Sequence, residues 1–262
     1  MAVQAKKHLG QHFLTDRNAA RKIVDALQFT NKLDAVIEVG PGMGVLSDFL
    51  IEKKLNAWFI DIDEESIQYL EEKYPDQKPR LILGDFLSVS LEDLIGSEKV
   101  AVIGNFPYNI SSQILFKILE ERNRVVEVVG MFQKEVAQRC TAQPGTKEYG
   151  ILSVLLQAYY DIKYLFTVKA GSFNPPPKVL SGVIRLVRNP TPQLDCDEKL
   201  FKQVVKAGFN QRRKTLRNAL SALIDKDKMN GNRFMDLRAE RLSVEDFIAL
   251  TKEITESRIN HE

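Results

Sequence analysis

Apolar residues in the first two-thirds of the chain follow two alternating patterns. Short runs rich in Val, Ile, Leu and Phe, at Ala35–Val39, Ala57–Ile60, Arg80–Leu83, Val100–Gly104 and Val125–Phe132, predict strands. Between and after them, apolar residues at i, i+3 and i+4 predict helices over Gly44–Lys53, Glu64–Lys73, Ser111–Glu120 and Tyr149–Tyr160, with Ser111 and Ser112 as N-cap candidates. Strand and helix alternating in this way build βαβ units and a mainly parallel sheet covered on both faces, an α/β fold. Two later strand-like segments, Tyr164–Val168 and Gly182–Val187, flank a loop holding Phe173-Asn174-Pro175-Pro176-Pro177. Its prolines forbid regular structure and place the loop at a binding edge.

The alternation stops at Arg188-Asn189-Pro190-Thr191-Pro192, and the residues beyond carry helical patterns with little strand propensity. We therefore expect one α/β domain over residues 1–190 and a small helical domain over 191–262. A chain of 262 residues with 44% hydrophobic content can bury a core of that size. The formal net charge of +2 hides separated patches. Twelve acids face five bases between Glu52 and Glu98, whereas Lys199–Arg217 holds seven bases and no acid, and Ile162–Leu194 is also free of acids. Only Cys140 and Cys196 occur, far apart, which argues against a disulfide framework or a zinc site and fits a reducing cytoplasm. The start of the chain has no apolar segment typical of a secretory signal, and no run approaches a membrane span, so a soluble, unprocessed protein is expected.

The candidate chemistry gathers at strand ends. Glu38-Val39-Gly40-Pro41-Gly42-Met43-Gly44 follows an apolar strand and opens a helix, where backbone turns sharply and comes close to a ligand. Alone it is equally well a tight turn, and Val45 breaks the dinucleotide pattern GxGxxG. Asp61, 21 residues after Gly40, ends the next strand, where a carboxylate can accept ribose hydroxyls; Asp63 suits a helix cap. Asp85 ends the third strand and can accept from an adenine amine with Phe86 packed on the ring, although each acid by itself is more often a cap or loop anchor. Glu38, Asp61 and Asp85 together ring the crevice where open α/β sheets bind ligands. No base nearby offers to neutralise a pyrophosphate, so a nucleoside bearing a positive sulfonium suits this rim better than a nicotinamide dinucleotide.

Asn105-Phe106-Pro107-Tyr108 follows the fourth strand and matches the (N/D)-x-P-(Y/F/W) pattern of amino-methyltransferases. The lone pair of an aromatic amine is delocalised into its ring, which makes it a poor nucleophile. The Asn105 side-chain oxygen and the Phe106 carbonyl can accept the two N–H bonds and favour a pyramidal nitrogen, Pro107 fixes the turn, and Tyr108 can stack on the base. The proton leaves after transfer, so no base of tuned pKa is needed. An Asn-Pro turn after a strand is common in isolation; here it accompanies GxGxG and two strand-end acids.

With these residues in view, the chain resembles the small-subunit rRNA adenine N6,N6-dimethyltransferases of the KsgA type over nearly its whole length. The resemblance also rests on Lys7-His8-Leu9-Gly10-Gln11-His12-Phe13-Leu14, Phe132–Arg139, Tyr149-Gly150-Ile151-Leu152-Ser153 and Phe173-Asn174-Pro175-Pro176-Pro177-Lys178-Val179. It implies a Rossmann-like S-adenosylmethionine-dependent methyltransferase sheet with a small C-terminal helical domain that binds rRNA, and residues 1–30 as a segment contacting cofactor and RNA. It further implies methylation of N6 on two adjacent adenines in a hairpin loop near the 3′ end of 16S rRNA, within the small ribosomal subunit or its precursor, with a role in subunit biogenesis. By the same resemblance His12 and Leu14 contact the methionine side of S-adenosylmethionine, Glu38, Gly40 and Gly42 line it, Asp61 takes the ribose, Asp85 and Phe86 the adenine, and Asn105 both cofactor and target. The family usually has Glu at position 61 and Leu or Ile at 106. Phe173 would face the flipped adenine opposite Tyr108, though a core aromatic is as good a reading of it, and His8 and His12 without the resemblance are exposed side chains with no task.

The basic stretch Lys199–Arg217 is expected to be one helix, with Arg212, Arg213 and Lys214 on rRNA phosphates and Lys6, Lys7, Arg17, Arg21 and Lys22 extending that surface; the alternative is an ordinary solvated face. A cytoplasmic, monomeric enzyme using no metal is expected. Competing readings are a 23S rRNA adenine methyltransferase of the macrolide-resistance type, a ribosome-assembly or transcription factor that keeps the fold without turnover, and a DNA adenine methyltransferase, which would want a target-recognition domain.

Overall fold

Strands buried on both faces have no solvent side to fill with polar residues, and the unbroken apolar runs occupy the middle of the sheet for that reason. The computed structural model describes residues 3–29, 33–96, 99–224 and 229–259. Its strands are β1 (Phe13–Leu14), β2 (Ala35–Val39), β3 (Ala57–Asp61), β4 (Leu81–Leu83), β5 (Val100–Asn105), β6 (Val125–Gln133), β7 (Tyr160–Val168), β8 (Phe173–Asn174) and β9 (Ser181–Arg188). The helices are α1 (Arg17–Asp25), α2 (Ser47–Glu52), α3 (Glu64–Lys73), α4 (Leu91–Ile95), α5 (Ser111–Glu120), α6 (Lys134–Thr141), α7 (Ile151–Gln157), α8 (Glu198–Asn210), α9 (Leu216–Ala219) and α10 (Val244–Ile259). Seven strands form one sheet in the order β4-β3-β2-β5-β6-β9-β7. From β4 to β6 every pair is parallel, and β9 returns antiparallel beside β6.

Chain order runs outward from β2 to β4 on one side and from β5 to β6 on the other. The sheet therefore changes direction between β2 and β5, and loops leaving their carboxyl ends diverge to open a crevice. The glycine loop leaves β2 there, and Asn105 is the last residue of β5. Beneath it Ile37, Phe59, Ile103 and Val129 are fully buried.

Two compact units divide the chain: Met1–Gln138 with Asp161–Arg188, and Arg139–Tyr160 with Asn189–Glu262. The second takes in Arg139–Tyr160 as well as the stretch expected from residue 191. Within that unit Tyr149 packs edge-on to Phe209, Phe209 tilts against Phe247, and the Tyr149 hydroxyl donates to the Leu242 carbonyl at 2.9 Å. Those aromatic contacts carry α7 into the helical unit despite its place among the sheet elements in sequence.

Several expected boundaries shift for local reasons. α2 begins at Ser47 rather than Gly44, because Gly44 lies in the left-handed region at φ +79°. Ser111 is the first helical residue of α5 and not its cap; its hydroxyl lies within bonding reach of the Pro107 and Tyr108 carbonyls, at 3.1 and 3.2 Å. α1, capped by the Asp16 carboxylate on the Asn18 and Ala19 amides, lies within a segment for which no helix was expected. The basic stretch is not one helix: α8 ends at Asn210, residues 211–214 turn, and α9 starts at Leu216. Arg212 is drawn into that turn by Glu240, its Nε 2.7 Å from the carboxylate.

Candidate active site

An open crevice of about 480 Å³ lies at the carboxyl ends of β2, β3 and β5, and Phe13, Gly40 and Asn105 also line a smaller space of about 300 Å³. Gly40 and Gly42 take φ of +68° and +53°, and a Cβ on Gly42 would stand 2.8 Å from the Phe13 ring, so the loop needs glycine there for both backbone and space. The loop and the following acid are joined: the Gly42 amide donates to Asp61 Oδ2 at 3.1 Å and the Asp63 amide to Asp61 Oδ1 at 2.9 Å. Burial pushes the Asp61 carboxyl up to about 6 against the pull of these amides. Glu38, 1% exposed, accepts from the Ser47 hydroxyl at 2.7 Å. Burial raises it to about 8, with Ser47 opposing and Asp61 adding. No salt bridge neutralises either acid among the described residues.

The other wall carries the Asn105-Phe106-Pro107-Tyr108 turn. The Asn105 Nδ2 donates to the His12 carbonyl at 2.8 Å, an acceptor that selects the NH₂ end of the amide and leaves Oδ1 as the group with acceptor capacity to spare. Phe106 is buried, its amide donating to the Met131 carbonyl at 3.1 Å and its ring 4.9 Å from that of Phe132. The ring fits because positions 104 and 130 are glycine; a Cβ on Gly130 would come within 2.3 Å of it. The Tyr108 hydroxyl and Ser181 Oγ are 2.5 Å apart, and the Tyr108 ring stacks on His12 at 5.5 Å between centroids. Burial holds the Tyr108 phenol above its usual range, partly offset by Ser181. His12 Nδ1 lies 2.8 Å from the Pro175 carbonyl, which can only accept, so that nitrogen carries the proton.

A family model described as ribosomal RNA adenine dimethylase matches residues 2–256. The chain belongs to this family. Among relatives, a ribosomal RNA small subunit methyltransferase A of Cytophaga hutchinsonii is 56% identical over 250 residues, covering 95% of this chain and 96% of its own. The protein of the same name in Flavobacterium johnsoniae is 52% identical, covering 96% of each chain. Among solved structures, a dimethyladenosine transferase from Plasmodium falciparum superposes with a TM-score of 0.79 at 24% identity, covering 94% of this chain and 98% of that one. The 23S rRNA methyltransferase ErmE superposes with a TM-score of 0.68 at 23% identity over 93% and 99% of the two chains. Both likenesses speak to the fold.

In this family member the structure gathers His12, Gly40, Gly42, Asp61, Asn105, Phe106, Pro107 and Tyr108 around the larger space, and Leu14 and Glu38 around the smaller. Other expected site residues lie elsewhere. Phe173 is 4% exposed and packs in the apolar core, paired with Leu14 across β1 and β8, and the ring beside Tyr108 is His12. Phe86 is likewise buried, 4% exposed. Asp85 anchors its own turn, accepting from the Leu87 amide at 2.9 Å and from Ser88, and does not line the crevice. Lys6 is bound to Asp63 and Glu65, and Arg212 to Glu240 and the Thr146 carbonyl, so neither is a bare cation; Lys7, Arg213 and Lys214 are exposed. Among residues the sequence reading passed over, Gln11 and Phe13 line the crevice, as does Ile62, 56% exposed; Leu83, 54% exposed, ends the adjacent strand opposite Asp61. Ile62 and Leu83 thus stand exposed at the carboxyl ends of neighbouring strands.

Proposed function

We propose that this enzyme transfers methyl groups from S-adenosylmethionine to N6 of two adjacent adenines in a hairpin loop near the 3′ end of 16S rRNA, dimethylating each within the small ribosomal subunit or its precursor and serving subunit biogenesis. The observation that carries the reading is the Asn105 amide, held by the His12 carbonyl so that its oxygen is the acceptor in a crevice shared with two unpaired carboxylates.

The cofactor fits the residues present. The crevice is open and lined by both polar and apolar groups, as small-ligand sites are, and Glu38 and Asp61 without counter-ions favour a cation over a phosphate. When bound, S-adenosylmethionine supplies an electrophilic methyl on a positive sulfur. Glu38, Gly40, Gly42, Leu14 and His12 would hold its methionine side, Asp61 its ribose, and Ile62 its purine face. Toward the target, Asn105 Oδ1 and the Phe106 carbonyl accept the amine hydrogens and withdraw the nitrogen lone pair from the ring, which strengthens as positive charge develops on nitrogen. Tyr108, fixed by Ser181 and His12, offers a stacking face to a flipped base. The proton then leaves an ammonium acidic enough to need no dedicated base.

Phosphate contacts fall to Lys7, Arg213 and Lys214, which give affinity without base choice. We expect the enzyme to act as a cytoplasmic monomer without a metal; among the described residues no helix is long and apolar enough to cross a membrane. The test is to incubate the protein with labelled S-adenosylmethionine and with small and large ribosomal subunits lacking the modification, then map the methylated nucleotides. Two adjacent dimethyladenines in 16S rRNA are expected. Label confined to 23S rRNA would assign the macrolide-resistance class instead, and cofactor binding without turnover would assign an assembly factor.

A further inference from the structure

The segment Leu9–Phe13 forms one wall of the crevice, and its polar anchors reach both sides. On the target side its His12 carbonyl and ring are held by Asn105 and Pro175. On the cofactor side Lys6 Nζ lies 2.6 Å from Asp63 Oδ1 and 3.0 Å from Glu65, Gln11 Nε2 donates to Asp63 Oδ2 at 3.0 Å, and the Lys6 amide donates to Gln11 Oε1 at 2.7 Å. Asp63 is only 2% exposed, and it also accepts from the Ser66 hydroxyl at 3.0 Å and the Glu65 amide at 3.3 Å. Its own amide holds Asp61 Oδ1. One connected path thus runs from the Lys6 ammonium through the Asp63 carboxylate and amide to the Asp61 carboxylate.

The geometry points to Lys6 as a positioning residue for the cofactor: with Gln11 it latches the N-terminal wall to the loop after β3 and so fixes the carboxylate that meets the ribose. This rests on the reading of Asp61 given above. An ammonium already shared by two carboxylates has little charge left to offer a phosphate, so the latch and the expected RNA contact compete for the same side chain. Burial pushes the Asp63 carboxyl up, and the bonds from Lys6, Gln11 and Ser66 outweigh it and hold the group below its usual range. Removing Lys6 leaves a buried carboxylate short of its cation, and the loop is the part free to move.

The test uses the full-length protein with Lys6→Met, Asp63→Asn, their double variant, Lys6→Arg as conservative rescue, and Gln11→Ala as a milder cut that strands no charge. Calorimetry should show S-adenosylmethionine and its demethylated product bound about 10-fold more weakly by Lys6→Met and Asp63→Asn, the loss of one charged hydrogen bond. The double variant should be no weaker than the worse single one, and Lys6→Arg should restore binding. Without any cofactor, hydrogen exchange of the amides from residue 9 to 13 should quicken in Lys6→Met and Gln11→Ala. The salt slope of RNA binding should stay at its wild-type value in Lys6→Met. Additive losses in the double variant, unchanged exchange, or wild-type cofactor affinity with a salt slope shallower by about one unit would each overturn the latch. Wild-type protein that binds no S-adenosylmethionine would overturn the cofactor reading itself, an outcome separate from all of these.

Discussion

Glu38→Gln should make the cofactor-free protein more stable than wild type by a margin that is small near about pH 4, already substantial at about pH 6 and largest in alkaline solution. The glutamine keeps an acceptor for Ser47 and cannot ionise. The buried carboxyl titrates at about 8 in the fold against about 4.3 in an unfolded chain. Between those values the native state binds a proton that the unfolded state has lost, so stability falls as pH rises through the folded value. Integrating that linkage from pH 6 to pH 9 removes roughly 2–3 kcal/mol, a slope of about 1.4 kcal/mol per pH unit that flattens above 8. Asp61, at about 6, adds only a few tenths of a kcal/mol over this interval because most of its share is already gone by pH 6. Urea denaturation of both proteins at pH 6, 7, 8 and 9 reads the effect as a difference in midpoint. Curves for wild type and variant that run parallel across the series would refute the claim that burial holds Glu38 neutral.

Asn105→Ala should slow methyl transfer in single-turnover assays by on the order of 100-fold while altering RNA binding little, because the acceptor acts most strongly as charge develops on nitrogen. Gly130→Ala should destabilise by about 1–3 kcal/mol through overpacking on the Phe106 and Phe132 rings; adding Phe106→Leu should recover part of that in thermal melts, and no recovery would exclude the Phe106 ring as a site of strain. Arg213→Ala with Lys214→Ala should flatten the log-log salt dependence of subunit binding by roughly 1.5–2, one phosphate contact each. Adding Arg212→Ala to that pair should contribute less than either, since Glu240 already holds the guanidinium.

The sheet was legible because its strands are strand-like at both levels: apart from Glu38 in β2 and Asn105 at the end of β5, those two strands hold only apolar residues and glycine, and their buried places suit that preference. The glycine loop and the Asn105–Tyr108 turn were legible because backbone conformation and amine chemistry each restrict residue choice. What failed to show was which partner a side chain finds across the fold. Sequence neighbours suggest a ligand platform for Phe86, and for Phe173 leave a core place and a face for the target base equally open, because an aromatic ring carries no local mark of whether its faces will be covered. Lys6 and Arg212 lie in stretches with few nearby acids, and their counter-ions come from 57 and 28 residues away. The end of α8 at Asn210 was hidden for the same reason, because Glu240 stabilises the turn that interrupts the basic stretch.

Pairing also sorts Glu38, Asp61 and the acids that act on them into two kinds. Asp48 is held by Arg17, Lys73 and the Tyr74 hydroxyl, Asp63 by Lys6 and Gln11, and both lie below the usual carboxylate range, since these bonds outweigh the burial that would raise them. Glu38 and Asp61 sit one strand apart with hydroxyl or amide donors only, and both are pushed up by burial. The paired acids have already gained their Coulomb energy and can gain little more from a ligand. The unpaired ones are costly to ionise in the free protein, so an arriving positive charge lowers their energy most where they stand. A pyrophosphate would meet the same two groups as repulsion. The charge of the methyl donor is thus matched to the crevice by what the fold withholds from Glu38 and Asp61, a counter-ion for each.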